Sequence, residues 1–261
     1  MTASFLTADL GNSACKLVRW ELDSGQGGPA RAAASARLAP GPALAEATAA
    51  WVAAGPLCAG AALASVAAER AGAELAERLA DLVAGSVLAP PAHGLRVLCR
   101  EPQTIGQDRL FAARGALELC GAPVIVVDAG TALTVDALLP ADGAGGGFAG
   151  GAIAPGPHLL AAALARGAAL LFAVEPDPDA PALGLDTAAA LRAGASVGFV
   201  GAARELVARV ADEAGAPGAP LVLTGGARRY LTRPGTFGTR AVREEELLVH
   251  VGLLAAARER A

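Results

Sequence analysis

The chain has 261 residues, 54% apolar and 18% charged, a balance that excludes a disordered segment and predicts one large or two smaller buried cores. Aromatic residues make up only 3%, so Ala, Leu and Val have to fill those cores, while 33 Gly and 17 Pro mark frequent turns. The net charge of −4 offers no basic stripe to a phosphodiester backbone, and no nucleic-acid partner is expected.

Phe5-Leu6-Thr7-Ala8 is strand-like, ends in Asp9-Leu10-Gly11-Asn12-Ser13, and leads into a second strand-like run, Leu17-Val18-Arg19-Trp20. This is the chemistry of a β-hairpin with an acid at its mouth. The Gly/Ala/Pro-rich stretch 23–42 reads as a strand interrupted by a loop. Helices are predicted over about 43–53, 67–83 and 108–120, with a short strand over 61–66. The hairpin pattern then returns. Val124-Ile125-Val126-Val127 ends in Asp128-Ala129-Gly130-Thr131 and continues through Leu133 to Leu138, with Asp128 standing 119 residues after Asp9. A duplicated domain is the economical reading, with its boundary near Cys120-Gly121-Ala122-Pro123. Further helices are predicted over about 158–166, 187–211 and 244–258, and a strand, Leu221-Val222-Leu223, ends in Thr224-Gly225-Gly226. Asp186 or Thr187 suits the N-cap of the long helix, along which Gly194, Gly198 and Gly201 form a face of small residues. Strands alternating with helices predict an α/β architecture.

Familiar site patterns fail on context. The single lysine, Lys16, follows Cys15, so no Gly-Lys-[Ser/Thr] phosphate loop exists. Gly145-Gly146-Gly147-Phe148-Ala149-Gly150 spells the dinucleotide fingerprint, yet no helix is predicted to open there. Gly194-Ala195-Ser196-Val197-Gly198 spells a nucleophile elbow, but inside a predicted helix. Cys15, Cys58, Cys99 and Cys120 lie far apart, as reduced, mostly buried thiols do, and His93, His158 and His250 lack ligand spacing. The N-terminus shows no signal-peptide pattern and no apolar run reaches about 20 residues, so a soluble cytoplasmic protein without membrane partners is expected.

The paired Asp-x-Gly turns carry the chemistry. Small residues at a hairpin tip expose N–H groups to phosphate oxygens, and an aspartate at the strand end can hold a metal or its waters. Two such turns and the Gly225-Gly226 turn suggest two lobes with a nucleotide between them. Lys16 reads either as a phosphate contact or as a solvated strand lysine. Asp108-Arg109, taken alone, reads more readily as a helix N-terminal acid beside a surface arginine than as a binding pair.

The ordered blocks Asp9 to Ser13 through Lys16, Gly106-Gln107-Asp108-Arg109, Asp128 to Ala132, Gly150 to Gly156, Asp186-Thr187 and Leu223 to Gly226 resemble the type III pantothenate kinases of the actin-like superfamily. The resemblance implies two duplicated actin-like (ribonuclease H-like) lobes, residues 1–120 and 121–261, with the C-terminal helix packing back on the first. It implies ATP-dependent phosphorylation of pantothenate to 4′-phosphopantothenate by a homodimer using Mg²⁺ and K⁺ or NH₄⁺. Asp9, Leu10, Gly11, Asn12, Ser13, Ala14, Cys15 and Lys16 would then form the first ATP-phosphate loop, with Asp9 near Mg²⁺. Thr131 would belong to the second phosphate loop, Asp128 to the monovalent-cation site, and Gly225 and Gly226 to the adenosine-side loop. Gly106, Gln107, Asp108 and Arg109 would bind pantothenate, Asp108 as the catalytic base and Arg109 as a substrate contact; Thr187 takes the second-lobe substrate position. The chain departs from the pattern at Ser13 and Leu133, each in place of a usual Thr, and at Gln103, in place of a Tyr that lines the substrate site. Rival readings are a non-enzymatic regulatory or transcriptional accessory protein and a kinase for another small alcohol.

Overall fold

The computed structural model describes residues 3–23, 30–143 and 145–259. Part of the interrupted strand expected over 23–42 lies outside them; the described part is a strand. The chain divides into two units, the first comprising Met1–Gly94, Gln103–Glu118 and Leu248–Ala261, the second Leu95–Pro102 and Leu119–Leu247.

The first unit is built on a five-stranded sheet of order β3-β2-β1-β4-β5, with β1 Ala3–Leu10, β2 Cys15–Leu22, β3 Ala30–Leu38, β4 Ala61–Ser65 and β5 Val87–Leu88. The first three strands are antiparallel, and β4 and β5 join parallel to β1. Alternation along β1 separates structure from chemistry. Leu6, Ala8 and Leu10 enter a core completed by Leu44 and Val52 of α1 (Leu44–Ala53) and by Leu75 and Leu79 of α2 (Glu69–Ala80). Burying each of these Leu and Val side chains contributes roughly 1.5–3 kcal/mol. Thr7 and Asp9 point to the opposite face. There Thr7 Oγ1 accepts the Trp20 Nε1–H at 2.8 Å and lies 2.9 Å from Nδ1 of His250, on α6 (Leu248–Arg258). Helix α6 crosses α3 (Gln107–Cys120) at two glycines. A Cβ on Gly115 would overlap the Leu248 carbonyl, and one on Gly252 the Phe111 carbonyl.

The second unit repeats this topology. Its sheet runs β11-β10-β7-β8-β9-β6, with β7 Val124–Ala129, β8 Ala132–Leu139 and β9 Gly147–Pro155 antiparallel in sequence. Strands β10 (Leu221–Thr224) and β11 (Val242–Glu244) follow parallel to β7. Strands β7, β8, β9, β10 and β11 thus occupy the places of β1 to β5, and β6 (Arg96–Val97) adds an edge beside β9. Ile125, Val127, Ala129, Leu133 and Val135 face a core closed by Phe199, Ala203 and Val207 of α5 (Thr187–Glu213), so Asp128, like Asp9, lies on the face away from its helical core. Helix α4 (Pro157–Gly167) starts directly after β9. The mixed α/β architecture expected from the sequence is the one observed.

Several expectations are corrected. The last helix starts at Leu248 instead of about 244, because Val242–Glu244 pair with β10 and the carboxylate of Glu245 accepts the Leu247 N–H. Strand β9 is absent from the sequence reading, since its glycines have low strand propensity and are kept by the cross-strand fit alone: a Cβ on Gly151 would overlap the Val135 carbonyl. Of the four thiols only Cys15 and Cys58 are buried; Cys99 is half-buried and Cys120 exposed. Along the long helix Leu191 and Val207 are buried, Val200 and Leu206 half-buried and Val197 exposed.

Candidate functional site

In the first unit the β1–β2 hairpin closes through the Gly11 N–H, which donates to the Ala14 carbonyl at 2.9 Å. Leu10, Ala14 and Cys15 bury their side chains, so that this loop presents Asn12, Ser13 and backbone. Asp9 pairs in register with Lys16, whose Nζ lies 3.7 Å from Asp9 Oδ2. Burial pushes the Asp9 carboxyl above its usual range; the Lys16 ammonium opposes that shift, and the Asp108 carboxylate adds to it. A cation arriving beside Asp9 would relieve the same desolvation, which suits one carboxylate contributing to a Mg²⁺ otherwise held by phosphates and water. The Cys15 thiol, pushed up to about 12 by burial and then by Asp9, is inert as a nucleophile.

Asp108 stands in the first turn of α3, half-buried, where the helix dipole favours a carboxylate. Its Oδ1 accepts the Arg109 N–H at 2.8 Å, and a Cβ on Gly106 would lie 2.5 Å from that oxygen. Gln107 Oε1 accepts the Ser65 N–H at 2.9 Å. Asp9, Lys16, Gln107 and Asp108 are therefore brought together within one unit by the ends of β1 and β4 and the start of α3. Gln103, in a 3-10 turn over Pro102–Thr104, is exposed.

In the second unit the β7–β8 tip closes in the same way, Gly130 N–H to the Ala132 carbonyl at 2.9 Å. The exposed Thr131 accepts the Gly156 N–H at 2.9 Å through its carbonyl, and a Cβ on Gly156 would overlap the Gly130 carbonyl. Gly156 is the N-cap of α4, so a helix N-terminus adjoins the expected second phosphate loop. Gly225, at φ +90°, lies against Asp128: a Cβ there would overlap both Asp128 Oδ1 and the Ala129 carbonyl. Thr224 pairs in register with Asp128, and the exposed Gly226 follows in the same turn. Thr187 is the exposed first residue of α5, behind the N-cap Asp186, whose Oδ1 accepts the Ala189 N–H at 2.7 Å.

Residues 5–209 match the family described as type III pantothenate kinase. The chain belongs to that family. It is 39% identical over 153 residues to the type III pantothenate kinase of Thermomicrobium roseum, covering 59% of this chain and 57% of that protein. With the enzyme of the same name from Gluconobacter oxydans it shares 41% over 143 residues, 55% of this chain and 51% of that one. The matched stretch thus spans little more than half the length of these relatives. Among solved structures, a protein of Sinorhizobium meliloti described as a 2-dehydro-3-deoxygalactonokinase superposes at TM-score 0.56 with 20% identity, over 98% of this chain and 96% of that one. A glucokinase from an Antarctic psychrotroph gives TM-score 0.50 with 13% identity, over 99% of both chains. At such identities the likeness is one of fold.

Some residues of these clusters carry no readable sequence signal. Arg228 donates to the Gly225 carbonyl at 3.1 Å and to Glu246 Oε2 at 3.0 Å, holding the Gly225 turn. Ser65 enters through its backbone, which has no side-chain signature. Gly156 stood inside a recognised block, but its packing on the Thr131 tip is a tertiary fact. Ser196, the nucleophile of the elbow pattern, is buried within α5. Among the described residues no group of three or more His, Cys, Asp or Glu side chains is arranged to hold a metal ion, and no helix is long and apolar enough to cross a membrane.

Proposed function

We propose that this chain is an ATP-dependent kinase that phosphorylates the primary hydroxyl of pantothenate, the opening step of coenzyme A synthesis, in the cytoplasm. The observation that carries the reading is the carboxylate pair of the first unit, Asp9 beside Lys16 and Asp108 at the start of α3, within the stretch shared with the family. Asp108 orients the acceptor hydroxyl and takes its proton. Arg109 pairs with the pantothenate carboxylate, for which a guanidinium fork is the natural partner. The hairpin tips at Gly11–Ser13 and Gly130–Thr131 offer N–H groups to the triphosphate, Lys16 adds positive charge, and the Gly225-Gly226 turn takes the adenosine side. Mg²⁺ held with Asp9 would supply charge neutralisation, and a K⁺ or NH₄⁺ at Asp128 would do the same on the second unit.

The active species is a homodimer in this reading. Leu170 and Leu185 are 91% and 90% exposed, and Leu183, Phe172 and Val197 of the second unit are exposed as well. The Cβ positions of Gly194, Gly198 and Gly201 meet nothing within 4 Å, leaving that face of α5 open to close backbone approach. The deciding experiment is an ADP-release assay over pantothenate, pantetheine and several sugars, with and without K⁺. Turnover with pantothenate well above the other acceptors is expected; ADP release with a sugar alone, or with no acceptor at all, overturns the proposal.

A further inference from the structure

The amide of Ser65 needs a partner that its own sheet does not supply. Successive amides of β4 point to opposite edges. Val66 donates to the Leu10 carbonyl at 3.0 Å, on the β1 side, whereas Ala61 donates to the Ser86 carbonyl at 3.1 Å, on the β5 side. Ser65 has the parity of Ala61 and so points toward β5, but β5 pairs only with Ala61 and Ala62 and has already ended. The Gln107 side chain fills the missing place, its Oε1 accepting the Ser65 N–H at 2.9 Å. A backbone N–H left without a partner in this half-buried place is unfavourable, which favours keeping the tie.

The tie has a consequence for the two carboxylates. Ser65 pairs in register with Leu10, the residue after Asp9, and Gln107 is the residue before Asp108. One side-chain hydrogen bond therefore joins the strand end beside Asp9 to the helix start that carries Asp108. Gly106 leaves no slack: a Cβ there would lie 2.5 Å from Asp108 Oδ1 and 3.6 Å from Val66 Cγ1.

We propose that Gln107 is a positioning residue, not a contact to the acceptor substrate: by pinning the first turn of α3 to the end of β4, its side chain sets where the Asp108 carboxylate stands relative to Asp9. The proposal rests on the kinase reading above. A base must stand within hydrogen-bond reach of the hydroxyl it deprotonates, and a misplacement of about 1 Å costs on the order of 10²-fold in rate.

Gln107→Met keeps the length of the side chain and removes the acceptor; Gln107→Glu keeps an acceptor oxygen. The expected result for Gln107→Met is a kcat lower by about tenfold or more, a KM for pantothenate changed by less than about twofold, and faster amide exchange at Ser65. Gln107→Glu restores the Ser65 protection and brings kcat to within about threefold of the native chain. A raised KM with unchanged kcat and an intact Ser65 amide would make Gln107 a substrate contact and overturn the proposal, as would unchanged kcat and exchange together. If Gln107→Met does not fold, Gln107→Asn, one methylene too short to reach Ser65, takes its place with the same readouts. A native chain that turns over no pantothenate would defeat the functional reading, while exchange at Ser65 would still decide whether the tie exists.

Discussion

Asp9 and Asp108 are two carboxylates in different electrostatic company. Asp9 is buried beside Lys16, while Asp108 sits half-buried at a helix start, its Oδ1 accepting the Arg109 N–H. The second is the base in the reading proposed above. Asp108→Asn is expected to lower kcat by about 10²-fold or more and to change ATP affinity by less than about twofold, in steady-state kinetics and calorimetry; retention of over half the turnover would remove it as the base. His250 makes a separate prediction. Burial, and then the Lys16 charge, push its imidazole from 6.5 down to about 3. The unfolded chain takes up this proton near pH 6.5 while the fold refuses it until about pH 3, so the contribution is complete above 6.5 and is lost as pH falls through that window. The slope is about 1.4 kcal/mol per pH unit from this group. Denaturant unfolding between pH 6 and pH 4.5 should therefore show a shallower pH dependence for His250→Asn than for the native chain; equal slopes would contradict a neutral buried imidazole. The aspartates and Lys16 were legible as residues, because acid-glycine turns are local signals. The partners of His250 were not, since Thr7 lies 243 positions away.

The hairpin and the strand-ending glycine turn are the repeated elements, and the Gly225 turn shows how tightly one is held. At φ +90° and with Ala129 and Asp128 against its Cα, position 225 admits no side chain without moving the Asp128 carboxylate. Gly225→Ala is expected to lower stability by about 1–3 kcal/mol in thermal unfolding and to weaken nucleotide binding. Gly218→Ala, with open space around its Cβ, should unfold within about 0.5 kcal/mol of the native chain. Equal stability of the two variants would show that the turn is not constrained as described. Amphipathic helices and the apolar strands β1, β4, β7 and β10 were readable from periodicity, with ends shifted by a few residues. Strands β5, β6, β9 and β11 were not, because two or three residues, or a run of glycines, hold strand geometry only when a neighbouring strand supplies the hydrogen bonds.

At the scale of the whole molecule, light scattering at micromolar concentration should give twice 25.6 kDa, and Gly198→Arg should split the dimer and weaken pantothenate use together. A mass near the single-chain value would refute the dimer, and loss of one property without the other would separate the pocket from the interface. Activity in Na⁺-only buffer should be low and be restored by K⁺ or NH₄⁺; full activity without them would remove the cation from Asp128. The sequence alone determined the α/β class, the duplication and the two aspartate turns, because each is written in residues close along the chain: apolar alternation, turn glycines, an acid at a strand end. Only the tertiary structure decided that Leu95–Pro102 joins the second unit. The same holds for Gln107 serving the end of β4, for Arg228 holding the Gly225 turn, and for the burial of most of the apolar face of α5. Those outcomes depend on hydrogen bonds and close backbone approaches between segments distant in sequence, and no local propensity records them.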